Sequence, residues 1–479
     1  MIPLTLAEIA DITGGRPIAP TDAVDTNAPD VAFARVLIDG PVVTDSREAG
    51  PGSLYVARVG EHADGHVYVP AARAAGAVAA LVTRPVAELP AVLVEDVQEA
   101  FAALAREIVR RQVQDVGLVV VGVTGSSGKT TTKDLLAHVL SGHAETVANV
   151  GSLNSEVGVP LTVCRVTPST RILVLEMGAR GIGHVDYLTG MATPRIGIVL
   201  NVGSAHLGEF GSREVIATAK AELVEALPTG GLAVLNADDD LVRGMAGATS
   251  ARVMLTGRAA DADVRATDVT LAGSGAPSFT LHAAGESWPV RMSLLGEHQV
   301  DNALAVVAAA LEVGMTPPQI VERLESATTA SRWRMERHDR TDGVVVVNDA
   351  YNANPDSMAA ALRTLARMER SGRTVAVLGG MYELGPDSAA EHRRMGRLAA
   401  DLGVDVLLAV APDAAAIADG AADHAPTGPI EVYRADTLDA AQAVLEDVLV
   451  AGDVVLLKSS RDAGLRLLGD RLVGQEDPA

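Results

Sequence analysis

From about residue 114 onward the chain alternates between short β-branched runs that end in Gly, Asn or Asp and longer stretches with helical spacing. GLVVVGVT (Gly117 to Thr124), RILVLEMGA, IGIVLNVGS and GLAVLNADD are the runs, and KTTTKDLLAHVL and SREVIATAKAELVEAL are two of the helical stretches. Strands that alternate with helices predict a mostly parallel sheet covered on both faces, with ligands held beyond the carboxyl ends of the strands. The pattern breaks near residue 330, at TTASRWRMERHD, and a second series begins: GVVVVNDAY, RTVAVLGGM, DVLLAV, IEVYRA and DVVLLKSS. The first 113 residues have shorter runs with more Pro. The expected fold class is therefore α/β in three domains. Residues 1–113 form a small amino-terminal α/β domain, 114–329 a central parallel-sheet domain, and 330–479 a Rossmann-like carboxyl-terminal domain. Ala259 to Trp288 is expected to be a β-rich insertion.

Composition narrows the function. Asp and Glu number 61 against 39 Lys and Arg, giving a formal charge of −22, and aromatics are 3% of 479 residues. Nucleic acid asks for a basic face and often for stacking rings, so it is excluded as a partner. An anionic membrane surface fails on the same electrostatics. Cys164 stands alone, so no intramolecular disulfide exists. The apolar stretches AARAAGAVAALV and ALAVVAAALEVG are broken by Arg73 and Glu312 before a spanning length, and MIPLTLAEIADITGG lacks the regions of a signal peptide. A soluble cytoplasmic protein without membrane insertion is expected.

The strongest local signal is GVTGSSGKTTT, Gly122 to Thr132, between a predicted strand and a predicted helix. Backbone N–H groups of such a loop and the positive helix end surround phosphate oxygens. Lys129 would meet the β- and γ-phosphates and Thr130 would bind Mg²⁺. Thr124, Gly125, Ser126, Ser127, Gly128 and Thr131 complete the candidate ATP contacts. Val123 stands where the general P-loop pattern has its first glycine; an ordinary Gly-rich turn is the bland alternative. Glu176 and His206 follow later strands and are candidate Mg²⁺ ligands beside Thr130, as hard cations take oxygen and tolerate an imidazole. Capping and loop hydrogen bonding are their plainer readings. Lys220, alone in a helical stretch, reads from spacing as a solvated surface group.

TGSSGKTTT, NSEVGVPLT (Asn154 to Thr162), LEMGA, NVGSAHLGEFGS with AKAEL, GEHQVDNALAVVAA and NDAYNANPDSM follow one another in an order that resembles the Mur ligase family. That family comprises ATP-dependent amide-forming enzymes of peptidoglycan precursor synthesis. TDSR (Thr44 to Arg47) and DGHVYV (Asp64 to Val69) resemble its uridine-nucleotide domain, so the likeness spans the chain. DAYNANPDSM and GGMYELG are most similar to the member that joins D-alanyl-D-alanine to the UDP-N-acetylmuramoyl tripeptide. KSSR (Lys458 to Arg461) departs from the family's Lys-Gly-Ser-Arg, and Gly380 stands where Asp is usual.

The resemblance implies ATP and Mg²⁺ as cofactors and an acyl-phosphate route. It implies Lys129, Asn154, Glu176, His206 and Lys220 as catalytic residues, Lys220 as a carbamylated lysine that supports the metal site. Asn302, Arg334 and Asp349 would contact the nucleotide, with the last domain closing over it. Ser46, Arg47, Asp64, Gly65 and His66 would contact the UDP-substrate. Tyr351, Asn352, Asn354, Glu383 and Lys458 would contact the dipeptide. A monomer is implied. The rival readings are the diaminopimelate-adding ligase, folylpolyglutamate synthase, and a P-loop nucleotide-switch module that forms no amide.

Overall fold

A computed structural model describes residues 1–21, 33–60, 63–203, 207–424 and 430–475. The β-branched runs form three main sheets, and each sequence series builds its own. The central sheet has nine strands. From one edge these are Glu286–Arg291, Pro277–Ala283, Val264–Leu271, Arg252–Gly257, Leu232–Asn236, Ile196–Val199, Val119–Thr124, Ile172–Glu176 and Thr146–Ala148. Pairing is parallel from Thr146–Ala148 through Val264–Leu271 and antiparallel beyond it. The expected β-rich insertion is therefore an antiparallel extension of the central sheet.

Val119–Thr124 is the first of these strands in the chain, yet it lies in the interior. The chain runs out to Thr146–Ala148, returns through Ile172–Glu176 and crosses to Ile196–Val199 on the other side. Connections leave in both directions from this strand, which opens a crevice at its carboxyl end. Register sets the neighbours there: Val123 lies opposite Glu176 and Thr124 opposite Val199. One face of the sheet packs Val121 and Val123 against the helices Lys129–Leu140 and Gln299–Glu312. The other packs Val120, Leu173 and Leu175 against Arg213–Glu225, His184–Met191 and the long helix Val97–Val116. Both faces are dry, which is why the strands read as continuous apolar runs.

The last sheet has six strands in the order Glu336–Asp339, Val345–Asn348, Val454–Lys458, Thr374–Leu378, Val406–Val410 and Glu431–Ala435, parallel except for the first hairpin. The amino-terminal sheet has five: Arg16–Ile18, Ala91–Leu93, Ala77–Val82, Ser53–Val56 and Val42–Val43. Val97–Val116 joins it to the central sheet. The Asp96 carboxylate caps this helix by accepting the N–H groups of Gln98 and Glu99, and Gly117 ends it in a left-handed turn at φ 69°. The helix runs through residues 113 and 114. Its side chains reach the central unit, where Gln98 Nε2 donates to Glu156 O (2.6 Å), Arg106 Nε to Gly190 O (2.8 Å), and Tyr187 donates back to Glu99 (2.7 Å). Among the described residues no helix is long and apolar enough to cross a membrane.

Candidate active site

The strand Val119–Thr124 passes through a glycine loop into the helix Lys129–Leu140. Gly128 sits at φ 80°, and a Cβ there would come within 2.7 Å of Asn302 Oδ1, so only glycine lets Asn302 approach. Asn201, just past Ile196–Val199, holds the loop open: its Oδ1 accepts the N–H groups of Ser126 (3.0 Å) and Ser127 (2.9 Å). Ser126 Oγ in turn accepts the Gly203 N–H at 2.9 Å. Lys129 Nζ donates to Gly125 O at 2.7 Å, folding the side chain back over the loop. Burial pushes its ammonium down from the usual lysine range, Glu176 opposes that and Arg334 adds to it. Among the described residues the lysine makes no ion pair.

Glu176 is 1% exposed and lies at the centre of a polar cluster. Its carboxylate accepts from Thr130 Oγ1 (2.9 Å) and Asn154 Nδ2 (2.6 Å), and its N–H donates to Asn149 Oδ1 (3.0 Å). Thr130 Oγ1 and Ser152 Oγ are 3.1 Å apart. Lys220 is 4% exposed and lines the same cavity, so the surface lysine expected from spacing is in fact a buried one. The reason is the orientation of Arg213–Glu225, which turns Ile216, Ala219 and Lys220 inward together. Among the described residues Lys220 makes no hydrogen bond or ion pair. Burial, and then the charge of Lys129, pushes its amine down to about 7.

The last α/β unit supplies the opposite wall. Arg334 NH2 lies 3.3 Å from Thr130 Oγ1 and 3.4 Å from Ser152 Oγ, with its guanidinium 4.3 Å from the centre of the Tyr351 ring. Asp349 accepts from Lys458 Nζ at 2.5 Å and from the Met335 N–H at 3.0 Å. Lys458 also donates to Asn352 O at 3.2 Å. Asn354 caps the helix Pro355–Arg367 through the Ser357 N–H (2.9 Å) and donates to Ser126 O (3.4 Å). A Cβ on Gly203 would collide with the Asp356 carboxylate, so the two units meet closely here. Between them lies a cavity of about 970 Å³.

Of the residues singled out from the sequence, Lys129, Thr130, Thr131, Asn154, Glu176, Lys220, Asn302, Arg334, Asp349, Tyr351, Asn352, Asn354 and Lys458 line this cavity, with Ser126, Ser127 and Gly128. His206 lies outside the described residues. Glu383 is not in the lining; it is exposed, holds φ 62°, and its carbonyl accepts the Gly208 N–H at 3.1 Å. The departure at Ser459 has a local account: its Cβ would stand 2.7 Å from a Cβ on Gly379, so a glycine just past the neighbouring strand Thr374–Leu378 makes room for it.

Ser46, Arg47, Asp64, Gly65 and His66 lie on two short turns of the amino-terminal unit and none lines the cavity. Arg47, its side chain 87% exposed, pairs with Asp45 at 2.6 Å, and the arginine holds that carboxyl down to about 2. Asp64 Oδ1 accepts the His66 N–H (3.0 Å) and lies 2.6 Å from His66 Nδ1, while His66 Nε2 accepts the Thr83 N–H (3.0 Å). Gly65 packs so closely under Arg58 that a Cβ would lie 2.6 Å from its carbonyl oxygen.

Sequence reasoning missed Asn201, Arg180 and His184. Asn201 carried a signal, a polar residue immediately after a strand at the crevice, whereas Arg180 reaches the cavity from a loop and His184 from the first turn of the helix His184–Met191, with no recognisable spacing.

A glycine loop at the switch point of a parallel sheet, a buried acid and lysines beside it, and a second α/β unit closing the cavity define an enzyme that uses a nucleoside triphosphate to activate another substrate. Three family descriptions match along the chain: "Mur ligase family, catalytic domain" over residues 41–114, "Mur ligase middle domain" over 123–310 and "Mur ligase, glutamate ligase domain" over 333–461. The UDP-N-acetylmuramoyl-tripeptide–D-alanyl-D-alanine ligase of Mycobacterium tuberculosis is 46% identical, with 99% of each chain covered. A crystal structure of MurF from Acinetobacter baumannii superimposes with a TM-score of 0.85 at 32% identity, covering 99% of both chains. The ligase MurF from Thermotoga maritima, solved in complex with ADP, gives 0.77 at 29% identity over 90% of this chain and 97% of that one. The chain belongs to the Mur ligase family and is an ATP-dependent, ADP-forming ligase.

Proposed function

We propose that the protein joins D-alanyl-D-alanine to the terminal carboxylate of a UDP-N-acetylmuramoyl tripeptide. The observation that carries this reading is the meeting, in one cavity, of Lys129, Thr130, Asn154, Glu176 and Lys220 from the central unit with Arg334, Asp349 and Lys458 from the last. Full-length likeness to a relative of that name supports the choice of substrates.

A carboxylate is a poor electrophile because its charge repels an amine and oxide is a hopeless leaving group. Its oxygen instead attacks the γ-phosphorus of ATP, the bond to the β–γ bridging oxygen breaks, and ADP leaves. The amine nitrogen of the dipeptide then attacks the acyl carbon. The tetrahedral adduct expels phosphate, and nitrogen loses a proton. Charge on the transferred group spreads over its oxygens, so cations and positioning carry most of the catalysis. Lys129 and the loop N–H groups hold the phosphates, with Arg334 arriving from the far wall. Asn302 reaches the adenine side beside Gly128, and Asn154 orients the reacting carboxylate. Water is kept from the acyl phosphate by the approach of the last unit.

The oxygen donors fit Mg²⁺. A buried carboxylate and the Thr130 hydroxyl, with phosphate oxygens and water, are the sparse set this cation takes, and among the described residues no larger cluster of His, Cys, Asp and Glu exists. Thr130 and Glu176 would hold the ion, which neutralises phosphate charge. Lys220 suits carbamylation, because an amine near 7 is partly neutral at physiological pH and a carbamate would add a second anion to the cavity that Glu176 lines. Ser46, Arg47, Asp64, Gly65 and His66 are assigned to the UDP end, and Tyr351, Asn352, Asn354 and Lys458 to the dipeptide, whereas Glu383 stands outside the cavity lining.

A coupled assay tests the reading. Phosphate release that requires ATP, the UDP-linked tripeptide and D-alanyl-D-alanine together is expected; release with ATP alone would mark a nucleotide switch instead.

A further inference from the structure

The link between the central helix Pro317–Glu325 and the strand Glu336–Asp339 contains two bulky residues in the left-handed region, Trp333 at φ 59° and Met335 at φ 51°. Side chains larger than Asn rarely take this conformation, so surrounding contacts must impose it. They lie on either side of Arg334, whose guanidinium stands at the phosphate loop.

The contacts that impose it are visible. Met335 N–H is held by Asp349 Oδ1 at 3.0 Å. Trp333 N–H donates to Glu336 Oε2 (2.8 Å) and its carbonyl accepts the Tyr351 N–H (3.2 Å). The indole stacks on Tyr351, with ring centres 6.3 Å apart and planes at 20°, while Arg332 lies 4.7 Å from the indole centre. At the base sits Asp470, from the final helix Leu465–Leu472, with its side chain 3% exposed. Its carboxylate accepts the Trp333 indole N–H on both oxygens at 3.0 Å and pairs with Arg332 at 3.0 Å. Asn348 Nδ2 adds a weaker contact at 3.4 Å. Asp470 lines no part of the cavity.

We propose that Asp470 is a positioning residue: by gripping Arg332 and Trp333 it fixes the strained link, and so sets where Arg334 stands at the phosphate loop. A buried carboxylate with an arginine and an indole donor is rigid in a way that a surface pair is not. Tyr351 completes the path, since one of its faces meets Trp333 and its ring also carries Arg334. The inference rests on the role of Arg334 stated under the proposed function.

The test is the single-turnover rate of ADP formation from ATP and the UDP-linked tripeptide in the full-length enzyme, together with the KM for the dipeptide. Arg334→Ala is expected to slow the step at least about thirtyfold, Asp470→Asn about tenfold and Trp333→Phe, which keeps the ring and removes its donor, about threefold. The dipeptide KM stays within about twofold. In the Arg334→Ala background both further changes should cost less than about twofold, because a residue that acts only through Arg334 has nothing left to position. Folded variants at the parent rate, or losses that multiply in full in the Arg334→Ala background, overturn the inference. Should Asp470→Asn fail to fold, the Trp333→Phe pair decides alone. A silent Arg334→Ala removes the role of Arg334 and this inference with it; a slow Arg334→Ala beside an unchanged Trp333→Phe removes the inference only.

Discussion

The crevice of the central sheet and the turns of the amino-terminal sheet treat polar groups in opposite ways. At the crevice, Glu176 and Lys220 are 1% and 4% exposed, and Lys220 has no countercharge among the described residues. On the turns, Asp64 is occupied with His66 and Arg84, and Arg47 with Asp45. Burying charge without full pairing costs several kcal/mol per group, about a third or more of a domain's net stability, so it persists only where a ligand completes it. Local caps and surface pairs cost little and carry little energy. The crevice is therefore a site waiting for anions, whereas the turns are already satisfied and give recognition a shape more than a charge.

This contrast ranks the expected effects of mutation. Lys129→Ala should lower kcat/KM for ATP at least about a hundredfold, because its ammonium is the one folded back over the loop itself while Arg334 approaches from the far wall. Steady-state phosphate release measures it, and a loss under fivefold would erase the distinction between the two regions. Lys220→Ala is expected next, at about fiftyfold in kcat, with part of the rate restored by added short carboxylates.

The same lysine gives the pH behaviour. An amine near 7 is about 10% neutral at pH 6 and about 90% neutral at pH 8, and only the neutral form takes up carbon dioxide. Enzyme stripped of carbon dioxide should then recover with bicarbonate about tenfold faster at pH 8 than at pH 6 when dissolved carbon dioxide is held equal. Recovery that ignores pH removes the modified lysine from the scheme.

Asn201→Ala removes two acceptor contacts to the loop, each worth about 1 kcal/mol, so the KM for ATP should rise up to about thirtyfold with a smaller change in kcat. The smallest effects belong to the turns. His66→Ala should lower the melting temperature by several degrees through the lost Thr83 contact. Arg47→Ala should raise the KM for the UDP-substrate about threefold and leave kcat unchanged. If Arg47→Ala proved costlier than Lys220→Ala, the ranking by burial would be wrong.

Much of this was legible in the chain. Apolar runs ending in Gly, Asn or Asp mark strands buried on both faces, and GVTGSSGKTTT marks the turn where one meets its helix. Ala259 to Trp288 read as β-rich, but its pairing was hidden because alternation does not say which neighbour a strand chooses. Lys220 was misread by spacing alone, since the burial of a helix face depends on what packs against it. Trp333 and Asp470 lie 137 residues apart and meet only through the last sheet, so no local pattern joins them. Glu383 shows the converse: a familiar motif position that the fold leaves outside the cavity.

The unbroken helix Val97–Val116 has a mechanical consequence. With Gln98, Arg106 and Glu99 fastened to the central unit, it splints the first two parts of the molecule into one arm. Any relative rotation is then left to the other junction, residues 326–335, between the helix Pro317–Glu325 and the strand Glu336–Asp339.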